Sequence, residues 1–185
     1  MLSWKKLTVI LAVSVSVLSG CTQSNIVSPT ASGDGWVEGD GQPDVEVDKD
    51  IDIDWAEVRE DLRDEFLEPY GVFADYVMDL DVRYDAGSNL LTVLLPVTKR
   101  TTGDIAAVYG EAVLKVIGTS VATQNFYYEA PEEEQEDGEL YYGSFFDEHD
   151  VRVQAFHYDE EGNESAYIVN DTMKAGEQRM LRPAA

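Results

Sequence analysis

The chain has 185 residues, 13 Lys and Arg against 37 Asp and Glu, a formal charge of −24, 44% hydrophobic residues and one cysteine. That is enough apolar material for one globular domain with its own core, and it excludes a disulfide framework, a multi-domain enzyme and a collagen-like or wholly disordered chain. Such a polyanion is repelled by phosphate backbones and anionic headgroups, which disfavours nucleic acid and leaves either cationic partners (basic proteins, peptides, polyamines or divalent ions) or a charge that serves only to keep an exported protein soluble.

Lys5 and Lys6 precede the apolar run Leu7 to Leu18, which is too short to span a bilayer as a helix and has the layout of a signal-peptide core. Leu18-Ser19-Gly20-Cys21 follows, and it resembles the lipobox of bacterial lipoproteins. The resemblance implies a diacylglyceryl thioether on Cys21 and cleavage between Gly20 and Cys21 by a type II signal peptidase. Small residues at Ser19 and Gly20 let the backbone enter a protease in the membrane plane, and a thiol is the nucleophile that takes the lipid. Each buried methylene contributes about 0.8 kcal/mol, so two or three acyl chains make a lasting anchor where one does not. The expected location is the bacterial cell envelope, with the domain outside the cytoplasm. In a Gram-negative host, Thr22 rather than Asp after the cysteine implies the outer membrane.

Residues 21–52 read as the lipidated cysteine and a disordered acidic tether, with Ser32-Gly33-Asp34-Gly35 and Gly39-Asp40-Gly41-Gln42-Pro43 as its low-complexity core. Eight acids against Lys49 alone make it self-repelling, with a mean span of about 30 Å and a limit of roughly 100 Å. Asp48, Asp50, Asp52 and Asp54 alternate in the manner of calcium-binding loops. An EF-hand begun at Asp48, however, would need Gly at Ile53 and Glu at Arg59.

A single α+β domain is expected over 53–175, with 176–185 as a flexible tail. Asp54 is placed to cap a first helix, with Glu57 reaching back in a capping box. Trp55, Val58, Leu62, Phe66, Tyr70, Phe73 and Val77 make its apolar stripe, and Pro69 and Gly71 kink or break it. Met78, Leu80, Val82 and Tyr84 alternate with acids and Arg83 as a half-wet strand. The turn at Asp85 to Asn89 returns the chain as a more buried strand, Leu90 to Val97. A second helix starts at Thr101 or Thr102 and carries Ile105, Val108, Tyr109, Ala112, Val113, Val116, Ile117 and Val121 at helical period. Phe126-Tyr127-Tyr128 and Tyr141-Tyr142 with Phe145-Phe146 read as strand-prone runs flanking the acidic loop Glu132 to Gly138. Val151 to Tyr158 and Ala166 to Asn170 then form a last hairpin. The expected architecture is two helices packed on one face of a largely antiparallel sheet, in the order α-β-β-α followed by a β-meander.

From Trp55 to Tyr128 this helix, hairpin, helix and strand are similar in layout to BON-type periplasmic modules, a family associated with envelope and phospholipid-surface roles. The likeness is one of layout. The family's glycine-bearing second strand has Leu94-Leu95 here, and no functional residue carries over.

Chemistry is harder to find. His149 and His157 lie among Asp147, Glu148, Asp150 and Asp159, raw material for a zinc or iron site, but without a ligand spacing such as H-E-x-x-H. Gly143-Ser144 lacks the G-x-S-x-G frame and has no assigned base. The sequence therefore assigns no catalytic residue, no metal ligand and no cofactor. The candidate contact surface is the aromatic set Phe126, Tyr127, Tyr128, Tyr141 and Tyr142, since such side chains offer large, stiff, amphipathic area, with burial in the sheet core as the competing explanation. The expected function is a non-catalytic binding module at the envelope, anchored by lipid and engaging another envelope protein or a cationic ligand. The alternatives are a divalent-cation-responsive protein and, more remotely, a hydrolase using His149 or His157.

Overall fold

A computed structural model of the chain describes residues 51–131 and 140–184, all within the compact unit Val45–Ala185. Gly20, Cys21, nearly all of the tether and the acidic loop at 132–139 lie outside the described residues.

The elements run α1 (Trp55–Phe66), β1 (Asp81–Asp85), β2 (Leu90–Val97), α2 (Gly103–Gln124), the single turn α3 (Phe145–Glu148), β3 (Asp150–His157) and β4 (Val169–Met173). The strands form one sheet in the order β1-β2-β3-β4. β1 pairs antiparallel to β2, and β4 antiparallel to β3. β2 and β3 are parallel, and α2 lies in the crossover connection that such a pair needs. The fold is α+β with two antiparallel hairpins joined by a parallel seam.

α1 starts where Asp54 accepts from the amides of Ala56 (2.8 Å) and Glu57 (3.4 Å). It buries Val58, Leu62 and Phe66 and ends at Leu67, two residues before Pro69, so the stripe is broken rather than kinked. Tyr70, expected on that stripe, is 96% exposed. Thr102 caps α2 at the amide of Ile105. By length and composition α2 could cross a membrane, yet it is the core helix of this domain. Tyr109, Val113, Leu114, Ile117 and Val121 on it are fully buried against Val93, Leu95, Val153 and Val169 of the sheet, with α1 alongside.

Pro96 sits in an interior strand without an amide to give. Its carbonyl accepts from the Met78 amide at 3.0 Å, so its nitrogen also faces β1. There the register slips by one residue, from Asp81 opposite Leu94 to Val77 opposite Val97. A break in the ladder is the place where an interior strand tolerates proline.

Two expectations need correction. The run Phe126 to Tyr128 is not a strand: the Asn125 side chain accepts the Tyr127 amide at 2.9 Å and its carbonyl accepts the Tyr128 amide at 3.1 Å, folding the chain into a turn. Tyr141 and Tyr142 are irregular and Phe145-Phe146 open α3, so the meander reduces to the β3–β4 hairpin. The segment 176–184, expected as a loose tail, is held to the sheet. Val169 bridges Pro183, the Ala184 amide donates to the Ile168 carbonyl at 2.9 Å, and Leu181 is buried. This strap covers the β4 edge. At the opposite edge, Arg59 of α1 donates to the free Val82 carbonyl at 3.1 Å, and Arg83 pairs with Asp81 at 2.8 Å. Both edges are thereby protected from pairing with another chain.

Candidate functional site

The sequence-derived contact residues separate once the chain folds. Tyr142 is fully buried, and its hydroxyl donates to the Arg179 carbonyl at 2.8 Å. Burial, with Glu111 adding to it, raises its phenol pKa well above the usual value. Tyr142 belongs to the core and offers no contact area. Tyr128 and Tyr141 are half-buried. Tyr127 is 36% exposed and donates its hydroxyl to Glu148 at 2.7 Å, while Phe126 is 80% exposed. Of the five, Phe126 alone turns most of its surface to water.

The inner members join an aromatic nest at one end of the sheet. His149 stacks on Phe145 with centroids 4.0 Å apart and planes at 6°. Tyr84 and Tyr128 meet the histidine edge-on at 5.6 and 6.0 Å, and Trp55 stacks on Tyr84 at 5.2 Å. His149 Nδ1 lies 2.8 Å from the Phe145 carbonyl. His157 is elsewhere, with Nε2 3.2 Å from the Thr101 carbonyl. The two histidines bracket β3, about 25 Å apart at strand rise, and do not converge. Ser144 accepts the Glu129 amide at 2.7 Å, a bond that closes a loop. Among the described residues no group of three or more His, Cys, Asp or Glu is placed to hold a metal ion. Asp54, last of the alternating acids, is occupied as a helix cap.

A second surface had no sequence signal of its own. After α1 ends, residues 67–76 wind through tight turns, with the Gly71 amide on the Glu68 carbonyl, Ala74 on Gly71 and Tyr76 on Phe73. Phe73 packs on Phe66 and Tyr109 at 6.2 and 5.1 Å. The Tyr76 carbonyl accepts from the Thr98 amide at 2.8 Å and the Thr101 hydroxyl at 2.9 Å. The loop is thus pinned along its length. Between it and the first turns of α2 lies an open groove of about 320 Å³ lined by Val72, Phe73, Tyr76, Asp104, Ile105 and Val108. Val72 is 90% and Val108 58% exposed, although Val108 was placed on the apolar period of the second helix. Val108 lies on the helical period but at the margin of the buried face, and Val72 is carried outward by the turns after Pro69.

A cleft at the β1 edge, about 300 Å³, holds Arg59, Arg63 and Arg83 among Asp79, Asp81 and Glu161. Its charges answer one another in the pairs Arg83–Asp81 and Arg63–Asp79 (3.6 Å). An enclosed ion pair ties the C-terminal strap to β4, where the Arg179 guanidinium grips Asp171 with two bonds of 2.6 and 3.1 Å. Burial alone would push the Asp171 carboxyl up. Arg179 and the Arg182 amide outweigh it and hold the carboxyl below its ordinary range.

No family model, no curated protein and no solved structure matches the chain.

Proposed function

We propose that the protein is a lipid-anchored envelope protein whose α+β domain is a non-catalytic binding module. The observation that carries this reading is the sequence Leu18-Ser19-Gly20-Cys21 behind Lys5-Lys6 and an apolar run, with Cys21 the sole cysteine of the chain. An anchor at residue 21 followed by an acidic, Gly- and Pro-bearing stretch suits a folded head that works clear of the bilayer. Further support comes from what the conspicuous polar residues do. His149, His157, Ser144 and Asp54 are each engaged in local packing, loop closure or capping. Two exposed apolar side chains, Val72 and Val108, in contrast share one groove.

Mass spectrometry of protein purified from its native cells tests the anchor. The expected product starts at Cys21 and carries the added mass of two or three acyl chains, and Cys21→Ser accumulates as the uncut precursor. A native amino terminus that is unmodified, or that keeps residues 1–20, overturns the anchoring.

A further inference from the structure

We propose that the groove between residues 67–76 and the start of α2 receives a cationic, amphipathic segment of a partner protein. This deepens the binding-module reading and rests on it. Single exposed apolar side chains need no explanation, but here Val72 (90%) and Val108 (58%) line one concavity together with Phe73, Tyr76 and Ile105. The groove is preformed: Phe73 is locked between Phe66 and Tyr109, and the Tyr76 carbonyl is doubly bonded to Thr98 and Thr101. Little ordering is then left for an incoming ligand to impose. Its shape and apolar lining suit a helix that seats two or three aliphatic side chains at three- and four-residue steps.

Charge selects the occupant. Asp104 lines the groove, Asp75 is exposed in its loop wall, and none of the six lining residues is basic. Of the two cations on the connecting turn, Lys99 is paired with Asp159, leaving Arg100. A second copy of the chain would bring another formal charge of −24 to the contact. Anionic headgroups are repelled by the same field. The chain's own residues 22–52 carry eight acids against one lysine. A segment with lysines or arginines beside its apolar stripe gains from both the groove and its surroundings.

The test uses the protein purified from native membrane and held in phosphatidylcholine nanodiscs, with empty discs as the blank. The probe is a labelled Leu/Lys amphipathic peptide of roughly 18 residues, beside a counterpart of equal charge with every Leu replaced by Ser. The Leu/Lys peptide is expected to bind at least about tenfold more tightly. The Val72→Asp, Val108→Asp double variant should erase that preference even though it makes the protein more acidic. Both sites are exposed, so the variant keeps its core. If attraction is by charge alone, the variant binds both peptides more tightly, and the proposal fails. Equal binding of the two peptides by the wild-type protein also ends it, as does concentration-dependent self-association that the double variant abolishes.

Photo-crosslinking in native cells separates this failure from failure of the broader reading. Capture of a partner from position 126 but not from 108 would sink the groove and leave a binding module standing. Capture from neither position overturns both.

Discussion

Asp54 and Gln124 hold one another across the two helices. The Asp54 amide donates to Gln124 Oε1 at 2.7 Å, and Gln124 Nε2 donates back to the Asp54 carbonyl at 3.3 Å. The last residue of α2 thereby fixes the residue that caps α1, and the Asn125 side chain extends the clamp to the Ile51 carbonyl. Glu57, three residues on from the cap, does not take the Asp54 amide. Gln124→Ala is expected to cost about 1 kcal/mol, the net worth of such bonds, and to speed amide exchange in the first turn of α1. Glu57→Ala should change stability by less than about 0.5 kcal/mol. A larger loss at Glu57 than at Gln124 in urea unfolding would return the cap to the local capping box.

Gly118 lies within α2 where another part of the chain crosses it. A Cβ at this position would sit 1.9 Å from the Tyr142 carbonyl oxygen and 3.2 Å from Pro131 Cδ. The obstacle is backbone, and that backbone is fixed by the Tyr142 hydroxyl on Arg179 and the Tyr142 amide on Gln178. Alanine normally strengthens a helix relative to glycine by about 1 kcal/mol. Here the clash reverses the sign, and Gly118→Ala is expected to destabilise by about 3 kcal/mol. Thermal unfolding decides between the two, since an unchanged or raised midpoint would mean that the crossing segment moves away freely.

Local patterns with a fixed geometric meaning were legible in the sequence: the Asp54 and Thr102 caps, the helical period from Ile105 to Val121, the turn at Asp85 to Asn89 and the break at Pro69. Strand propensity misled where one polar side chain changed the local bonding. Phe126-Tyr127-Tyr128 reads as a strand until Asn125 takes the Tyr127 amide. The C-terminal strap was hidden because its attachment is tertiary: Leu181 lies 2.7 Å from a Cβ placed on Gly110, and Arg179 reaches back to Asp171. The groove was equally out of reach. It arises from the meeting of a loop after α1 with a helix some thirty residues later, and the parallel β2–β3 seam depends on the same kind of long-range pairing.

Asp171 gives the strap a pH dependence whose sign follows from its environment. The carboxyl titrates below its ordinary value when folded, with burial opposing ionisation and Arg179 and the Arg182 amide favouring it more strongly. A lowered folded pKa means that the unfolded chain binds more protons as pH falls. The stabilisation is therefore complete above the unfolded carboxyl value of about 4 and is lost as pH drops through the depressed folded value. Asp171→Asn is expected to cost about 2 kcal/mol at pH 7, in the range for a hydrogen bond to a charged group, and progressively less below about pH 4. A stability gap that stays constant between pH 7 and pH 3 would show that the charge contributes nothing there.

The aromatic residues divide into core and surface, and that division controls how a loss of binding should be interpreted. Tyr142 is fully buried, so Tyr142→Ser removes a packed ring and the hydroxyl bond to Arg179 together. A cost of about 4 kcal/mol is expected, a large part of the stability of a domain this size. Phe126 is 80% exposed, and Phe126→Ser should change stability by less than about 0.5 kcal/mol. Tyr127 is intermediate, because its hydroxyl bond to Glu148 ties the turn after α2 to α3. Tyr127→Phe isolates that bond at about 1 kcal/mol while keeping the ring. Unfolding curves for the three variants should order them as Tyr142→Ser far below Tyr127→Phe, and Tyr127→Phe below Phe126→Ser. If Phe126→Ser proves as damaging as Tyr142→Ser, the exposed ring is part of the core and the division is wrong. If the order holds, a partner lost only with Tyr142→Ser has been lost to unfolding, whereas one lost with Phe126→Ser touches this end of the domain directly.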